Sequence, residues 1–147
     1  MLLVLAYLSA CAIPHEPQKQ VSTRPTREIQ EQMAAILKSA NSNEVIFILV
    51  PSPSNLISEK IMLASLAAGG TSNAIDQLTS ILSSAKPSIV GITGSSNEIN
   101  AITVKRTLEQ LKDKSASGTL YLIADTKTQE SLSTLNQSMN IKLVFVE

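Results

Sequence analysis

The groups able to do chemistry in this chain are few, and they gather at three places. Ser54-Asn55, Ser95-Ser96-Asn97 and Asp125 each follow a short apolar run and precede a helix-like pattern. Hydroxyls, amides and a carboxylate beside helix N-termini could form a polar rim for an anion, because a helix's first turn presents unpaired N–H groups. The same residue types also cap helices and make turns, which is their commonest use, and neither Lys nor Arg sits among them. Asp125 alone is a conceivable nucleophile or magnesium ligand. That chemistry needs a second carboxylate or a base, and the other two clusters offer none. Ser52, Ser54, Ser95 and Ser96 lack a histidine to activate them, since the one histidine, His15, lies far upstream. One cysteine, Cys11, leaves no internal disulfide to form, and with one histidine it leaves no Cys/His zinc site. No catalytic residue, metal or cofactor is therefore expected.

Composition narrows the classes further. The chain carries 12 Lys+Arg against 12 Asp+Glu, so it lacks the basic stripe of a nucleic-acid binder. Aromatics are 3% and tryptophan is absent, which speaks against stacking sites for bases or sugars. Hydrophobic content of 44% suits a globular domain. Beyond the N-terminal leader no apolar run approaches the ~20 residues that span a bilayer.

The elements that would position these residues alternate along the chain. Thr26 can cap a helix whose Ile29, Met33, Ile36 and Leu37 fall on one face, ending near Ser39-Ala40-Asn41. Glu44 to Val50 is a continuous β-branched run stopped by Pro51 and Pro53, as in a strand covered on both faces. Ser54 and Asn55 open a second helix through Ile57, Ile61, Leu63 and Leu66, terminated by Gly69-Gly70. Ser72 caps a third, carrying Ile75, Leu78, Ile81 and Leu82, with Pro87 just beyond it. Ser88 to Ile92 is a second strand. Ser95 with Glu98 has capping-box spacing before a helix burying Ile99, Ile102, Leu108 and Leu111. The chain breaks in the stretch ending at Gly118, Thr119 to Ala124 form a third strand, and Asp125 or Thr126 caps a fifth helix with Leu132, Leu135 and Met139. Ile141 to Val146 close the chain as a fourth strand. Alternation of this kind implies right-handed βαβ units. The expected fold is α/β, a three-layer sandwich with a mainly parallel four-stranded sheet flanked by about five helices. Ligands of open parallel sheets bind beyond the strands' C-terminal ends, where the rim residues fall. Gly91-Ile-Thr-Gly94 lacks the third glycine of a dinucleotide fingerprint, there is no phosphate-binding Gly-Lys-Ser/Thr, and the segment reads as a strand-to-helix turn. Mixed charge around Lys105-Arg106 and Glu109 to Lys114 reads as a solvated helix face.

Residues 1–10 are apolar or small almost throughout, the length of a signal-peptide core and too short to span a membrane. They end in Leu8-Ser9-Ala10-Cys11, which resembles the lipobox of bacterial lipoproteins: an aliphatic residue, two small residues, and the cysteine that receives the lipid. The resemblance implies cleavage before Cys11 and acylation, palmitate included, of its new N-terminus. Two or more acyl chains are an adequate anchor. Ala12 stands where an aspartate favours inner-membrane retention in such lipoproteins, so the periplasmic face of the outer membrane is the implied location. Residues 11–25 then form the lipidated cysteine and a tether. Its prolines and low apolar content suit an extended chain of ~3 Å per residue, reaching some 30 Å or more. Residues 26–147 make one α/β domain.

A looser similarity, to the OmpA-like peptidoglycan-binding domains of envelope lipoproteins, rests on the alternating elements and a final strand like Ile141-Lys-Leu-Val-Phe-Val146. That family has an aspartate after a Gly-His-Thr where this chain has Gly91-Ile-Thr-Gly94. Its arginine pair before the last strand is replaced by Met139-Asn140. The wall-binding groups do not carry over. The expected function is a non-enzymatic, protein-binding assembly component of an envelope system for secretion, conjugation or pilus formation. The competing classes are a periplasmic enzyme or small-ligand binder using the rim residues Ser54, Asn55, Ser95, Ser96, Asn97 and Asp125, and a wall-binding module. Expected partners are the membrane, through the lipid, and another envelope protein.

Overall fold

The computed structural model describes residues 26–147. The leader, Cys11 and the tether with His15 lie outside the described residues. The elements run α1 (Arg27–Ala40), β1 (Val45–Leu49), α2 (Leu56–Ala67), α3 (Asn73–Leu82), β2 (Ser88–Thr93), α4 (Asn97–Leu111), β3 (Ser117–Ile123), α5 (Thr126–Leu135) and β4 (Asn140–Val146). The fold is α/β, a three-layer sandwich around a four-stranded sheet whose pairings are all parallel.

Strand order is β1-β2-β3-β4. Each crossover steps one strand in the same direction, and right-handed crossovers therefore place their helices on one face. Side chains alternate accordingly. Ile48, Val90, Ile92, Leu120, Leu122 and Ile141 pack in one cluster with Leu66 of α2, Leu78 of α3, Leu108 of α4 and Leu132 of α5. Tyr121 and Val146 point to the opposite face, where Ile36 of α1 covers them together with Val45, Phe47, Ile89, Ile123 and Val144. Among the described residues one face thus carries four helices and the other a single helix. Each large aliphatic side chain wholly removed from water in these clusters contributes roughly 1.5–3 kcal/mol relative to exposure.

The helices start where short polar side chains meet apolar periodicity. Thr26, Asn55, Ser72, Ser96 and Asp125 are N-caps, each accepting a hydrogen bond from the backbone N–H three residues on. The capping box expected from Ser95 and Glu98 does not form: the cap is Ser96, one residue on, and Ile99 rather than a Glu or Gln occupies the third helical position. At the end of α2, Gly69 adopts φ 104° while Gly70 N–H reaches the Ser65 carbonyl at 2.9 Å, a Schellman closure that stops the helix.

Gly118 belongs to β3 rather than ending a break before it. It has φ 144°, and a Cβ there would lie 2.7 Å from the Ser88 carbonyl oxygen. Pairing of Ser117 with Asn140 starts β3 and the edge strand β4 earlier than the apolar pattern indicates. Polar residues join a ladder when their backbone partners are in register, whatever their side chains.

Candidate functional site

The C-terminal edge of the sheet is closed by a buried polar knot. Gly94, just past β2, receives two side-chain amides from opposite layers. Gln32 of α1, 7% exposed, donates from Nε2 to the Gly94 carbonyl at 3.0 Å and accepts the Gly94 N–H at 3.1 Å. Asn100 of α4, 3% exposed, donates from Nδ2 to the same carbonyl at 3.4 Å. Val50 N–H bonds the Thr93 carbonyl at 2.8 Å and continues the ladder one residue beyond β1. Glycine is required at position 94 by crowding: a Cβ would meet Asn100 Oδ1 at 2.5 Å and the Val50 carbonyl at 2.6 Å. Asn100 Oδ1 and Thr103 Oγ1 are buried with no hydrogen-bond partner among the described residues. Thr107 resolves its own hydroxyl by donating to the Thr103 carbonyl at 2.9 Å.

The rim residues sit at the sheet edge but turn their polar groups to their own helices. Asn55 Oδ1 accepts the Ser58 N–H at 2.8 Å. Ser96 Oγ accepts the Ile99 N–H at 3.3 Å and donates to Glu59 Oε1, tying the start of α4 to α2. Asp125 accepts the Thr128 N–H at 2.7 Å. That bond, with the Thr128 hydroxyl, holds the Asp125 carboxyl below its ordinary value; Lys127 acts in the same sense and desolvation opposes it. Ser54, Ser95 and Asn97 are exposed beside these caps. Strand order runs in one direction throughout, so the sheet has no reversal point at which flanking loops part to leave a crevice.

Asp125 does border a groove of about 350 Å³ between α4 and α5, with Glu98, Lys105 and Lys127 on its walls and Leu63 and Leu132 at its base. Ser95 and Asn97 are not part of it. Lys127 adjoins Asp125 in the sequence, whereas Lys105 lies in α4, twenty positions earlier, and only the fold brings it to the groove. Two carboxylates and two ammonium groups around the groove cancel in charge, which gives no field to draw an anion. Among the described residues no three His, Cys, Asp or Glu side chains converge as a metal site, and no helix is long and apolar enough to cross a membrane.

The most exposed large apolar residues form a patch on α2, where the sequence pattern grouped Ile57 and Ile61 with Leu63 and Leu66 but the fold buries only the latter pair's side of the helix. Leu56, Ile57 and Ile61 of α2 are 75%, 74% and 64% exposed. The helix has two apolar stripes, and only the one through Met62, Leu63 and Leu66 packs on the core. Ile57 and Ile61 are one turn apart and nearly opposite Leu66 on the helical wheel, so burying one stripe exposes the other. Ala64 and Ala68 continue the outer stripe, also exposed, without adding charge.

No protein-family model, curated protein or solved structure matches the chain.

Proposed function

We propose that this chain is a lipoprotein of the bacterial outer membrane, acylated at Cys11, and that its α/β domain is a non-enzymatic binding component of an envelope machine for secretion, conjugation or pilus assembly. The observation that carries the reading is the outer stripe of α2. Aliphatic side chains this exposed, grouped on one helix, are a docking surface more readily than a solvated face. An amphipathic or shallow apolar surface of a partner protein would remove Leu56, Ile57 and Ile61 from water together. The use of Asn55, Ser96 and Asp125 as caps agrees with a domain that offers a surface rather than a reaction.

The anchor half of the reading rests on Leu8-Ser9-Ala10-Cys11. It is tested by fractionation of cells expressing the full chain and Cys11→Ser. The native chain goes to the outer membrane with its leader removed, and Cys11→Ser leaves the membrane. An intact leader and a free thiol in the native chain overturn it. The binding half is tested by cross-linking in membranes, comparing the native chain with an Ile57→Lys, Ile61→Lys variant. A specific cross-linked protein lost in that variant supports the reading. A partner retained at full yield overturns the assignment of the surface.

A further inference from the structure

The two edges of the sheet are built differently. β4 exposes Lys142 and Asn140, residues that discourage a further strand. β1 is Val45-Ile-Phe-Ile-Leu49, without charge, proline or bulge, and Ile46 and Leu49 are 43% and 50% exposed. Val50 N–H points to the Thr93 carbonyl of β2. By the alternation of a parallel ladder, Ile46 and Ile48 also direct their backbone groups to β2, while Val45, Phe47 and Leu49 direct theirs outward. No other strand of the described residues covers that side. Unlike a bare apolar face, a row of directional donors and acceptors specifies its occupant: an extended strand.

We infer that β1 is the two-fold edge of a homodimer, pairing antiparallel with β1 of a second copy. The strand is self-complementary about Phe47. With the axis there, Phe47 faces the partner's Phe47, Val45 faces the partner's Leu49, and Ile46 faces the partner's Ile48. Every outward-directed residue then meets another outward-directed residue. The resulting three narrow pairs each exchange two N–H···O=C bonds. A slip of one residue sets outward groups against inward ones, and a slip of two shortens the ladder.

Side chains agree with the same register. The exposed Leu49 lies against the partner's Val45 on the α1 face, and the exposed Ile46 against the partner's Ile48 on the other. Apolar meets apolar in each row, with no like charges opposed. A groove of about 480 Å³ beside β1, bordered by Ile46, Ile48, Ile81 and the polar face of α3 with Asn73, Gln77 and the acidic Asp76, lies where the partner's Ile46 would enter. The pairing is isologous and closes, and it leaves β4, with its lysine, as the outer edge of an eight-stranded sheet. This inference stands apart from lipidation and from the α2 surface.

Sedimentation equilibrium of the full chain in a density-matched mild detergent, over two decades of concentration, tests it. The native chain is expected at twice the chain mass. Ile46→Lys with Leu49→Lys is expected to halve that mass while the far-ultraviolet dichroism is kept. Ile57→Lys with Ile61→Lys is expected to leave the dimer intact, which separates this edge from the α2 surface. If the double lysine variant fails to fold, Leu49→Pro decides, because it removes an outward N–H and leaves the β1–β2 ladder in place. A folded, monomeric Leu49→Pro supports the inference. A native chain that is monomeric throughout, or a dimer that survives either edge variant, overturns it.

Discussion

The side-chain amide of Gln32 exchanges two hydrogen bonds with the backbone of Gly94, 62 positions away, and so fastens α1, on one face of the sheet, to the end of a central strand. Removing the amide leaves a buried N–H without an acceptor and a carbonyl held only by Asn100. Gln32→Ala is expected to cost about 2–3 kcal/mol, read as a lower midpoint in urea at unchanged slope. Gln32→Glu is expected to be at least as damaging at neutral pH, because it sets a carboxylate oxygen against the Gly94 carbonyl, and to recover in acid as the carboxyl regains a proton to donate.

Gly94→Ala tests the crowding at the same point. Its Cβ would press on the Val50 carbonyl at 2.6 Å, and backbone yields less readily than a side-chain tip. The expected loss is about 3 kcal/mol or more, at the upper end for overpacking. Thermal unfolding measures it. A loss under about 1 kcal/mol would show that the strand end relaxes freely.

Thr103 offers a gain. Its hydroxyl is buried without a partner among the described residues, so Thr103→Val replaces an unmet polar group by a methyl of similar volume. Stability is expected to rise by about 1 kcal/mol. Thr107→Val removes a hydroxyl that does have an acceptor and is expected to give no such gain. Paired urea titrations of the two variants compare them directly.

The carboxyl of Asp125 is held below its ordinary value by hydrogen bonds from Thr128. A carboxylate whose folded-state value is depressed contributes stability above the unfolded value, near 3.9 for aspartate, and loses it as pH falls through the lowered folded value. Asp125→Asn keeps an acceptor for the cap and removes the charge. The stability difference between native chain and variant is therefore expected to be constant near neutrality and to shrink below about pH 4. Chemical denaturation across that range measures it, and an unchanged difference in acid would assign the cap no ionic component.

Replacement of Ile57 and Ile61 by lysine is expected to leave stability within about 0.5 kcal/mol, since both side chains already lie in water. Melting curves check this, and a large loss would mean that the outer stripe of α2 contributes to the fold.

Much of the molecule was legible in the chain because local rules decide it. Short apolar runs at Val45, Ser88, Thr119 and Ile141 marked the strands, and Thr26, Ser54-Asn55, Ser72 and Asp125-Thr126 marked helix starts to within a residue, since capping depends on residues within one turn. The cap expected at Ser95 falls instead on Ser96, because two adjacent serines offer the same cap and Ser96 also reaches Glu59 across to α2, and the box with Glu98 is lost. Tertiary structure decided the strand order, and with it the placing among the described residues of four helices on one face and one on the other, because no strand's sequence names the strand it pairs with. It also decided which stripe of α2 faces water. It brought Gln32, 62 positions away, to Gly94 beside the nearby Asn100, a meeting that no local pattern encodes. Spacing along a chain fixes what turns with one helix or alternates along one strand; what meets across layers depends on the packing of all of them together.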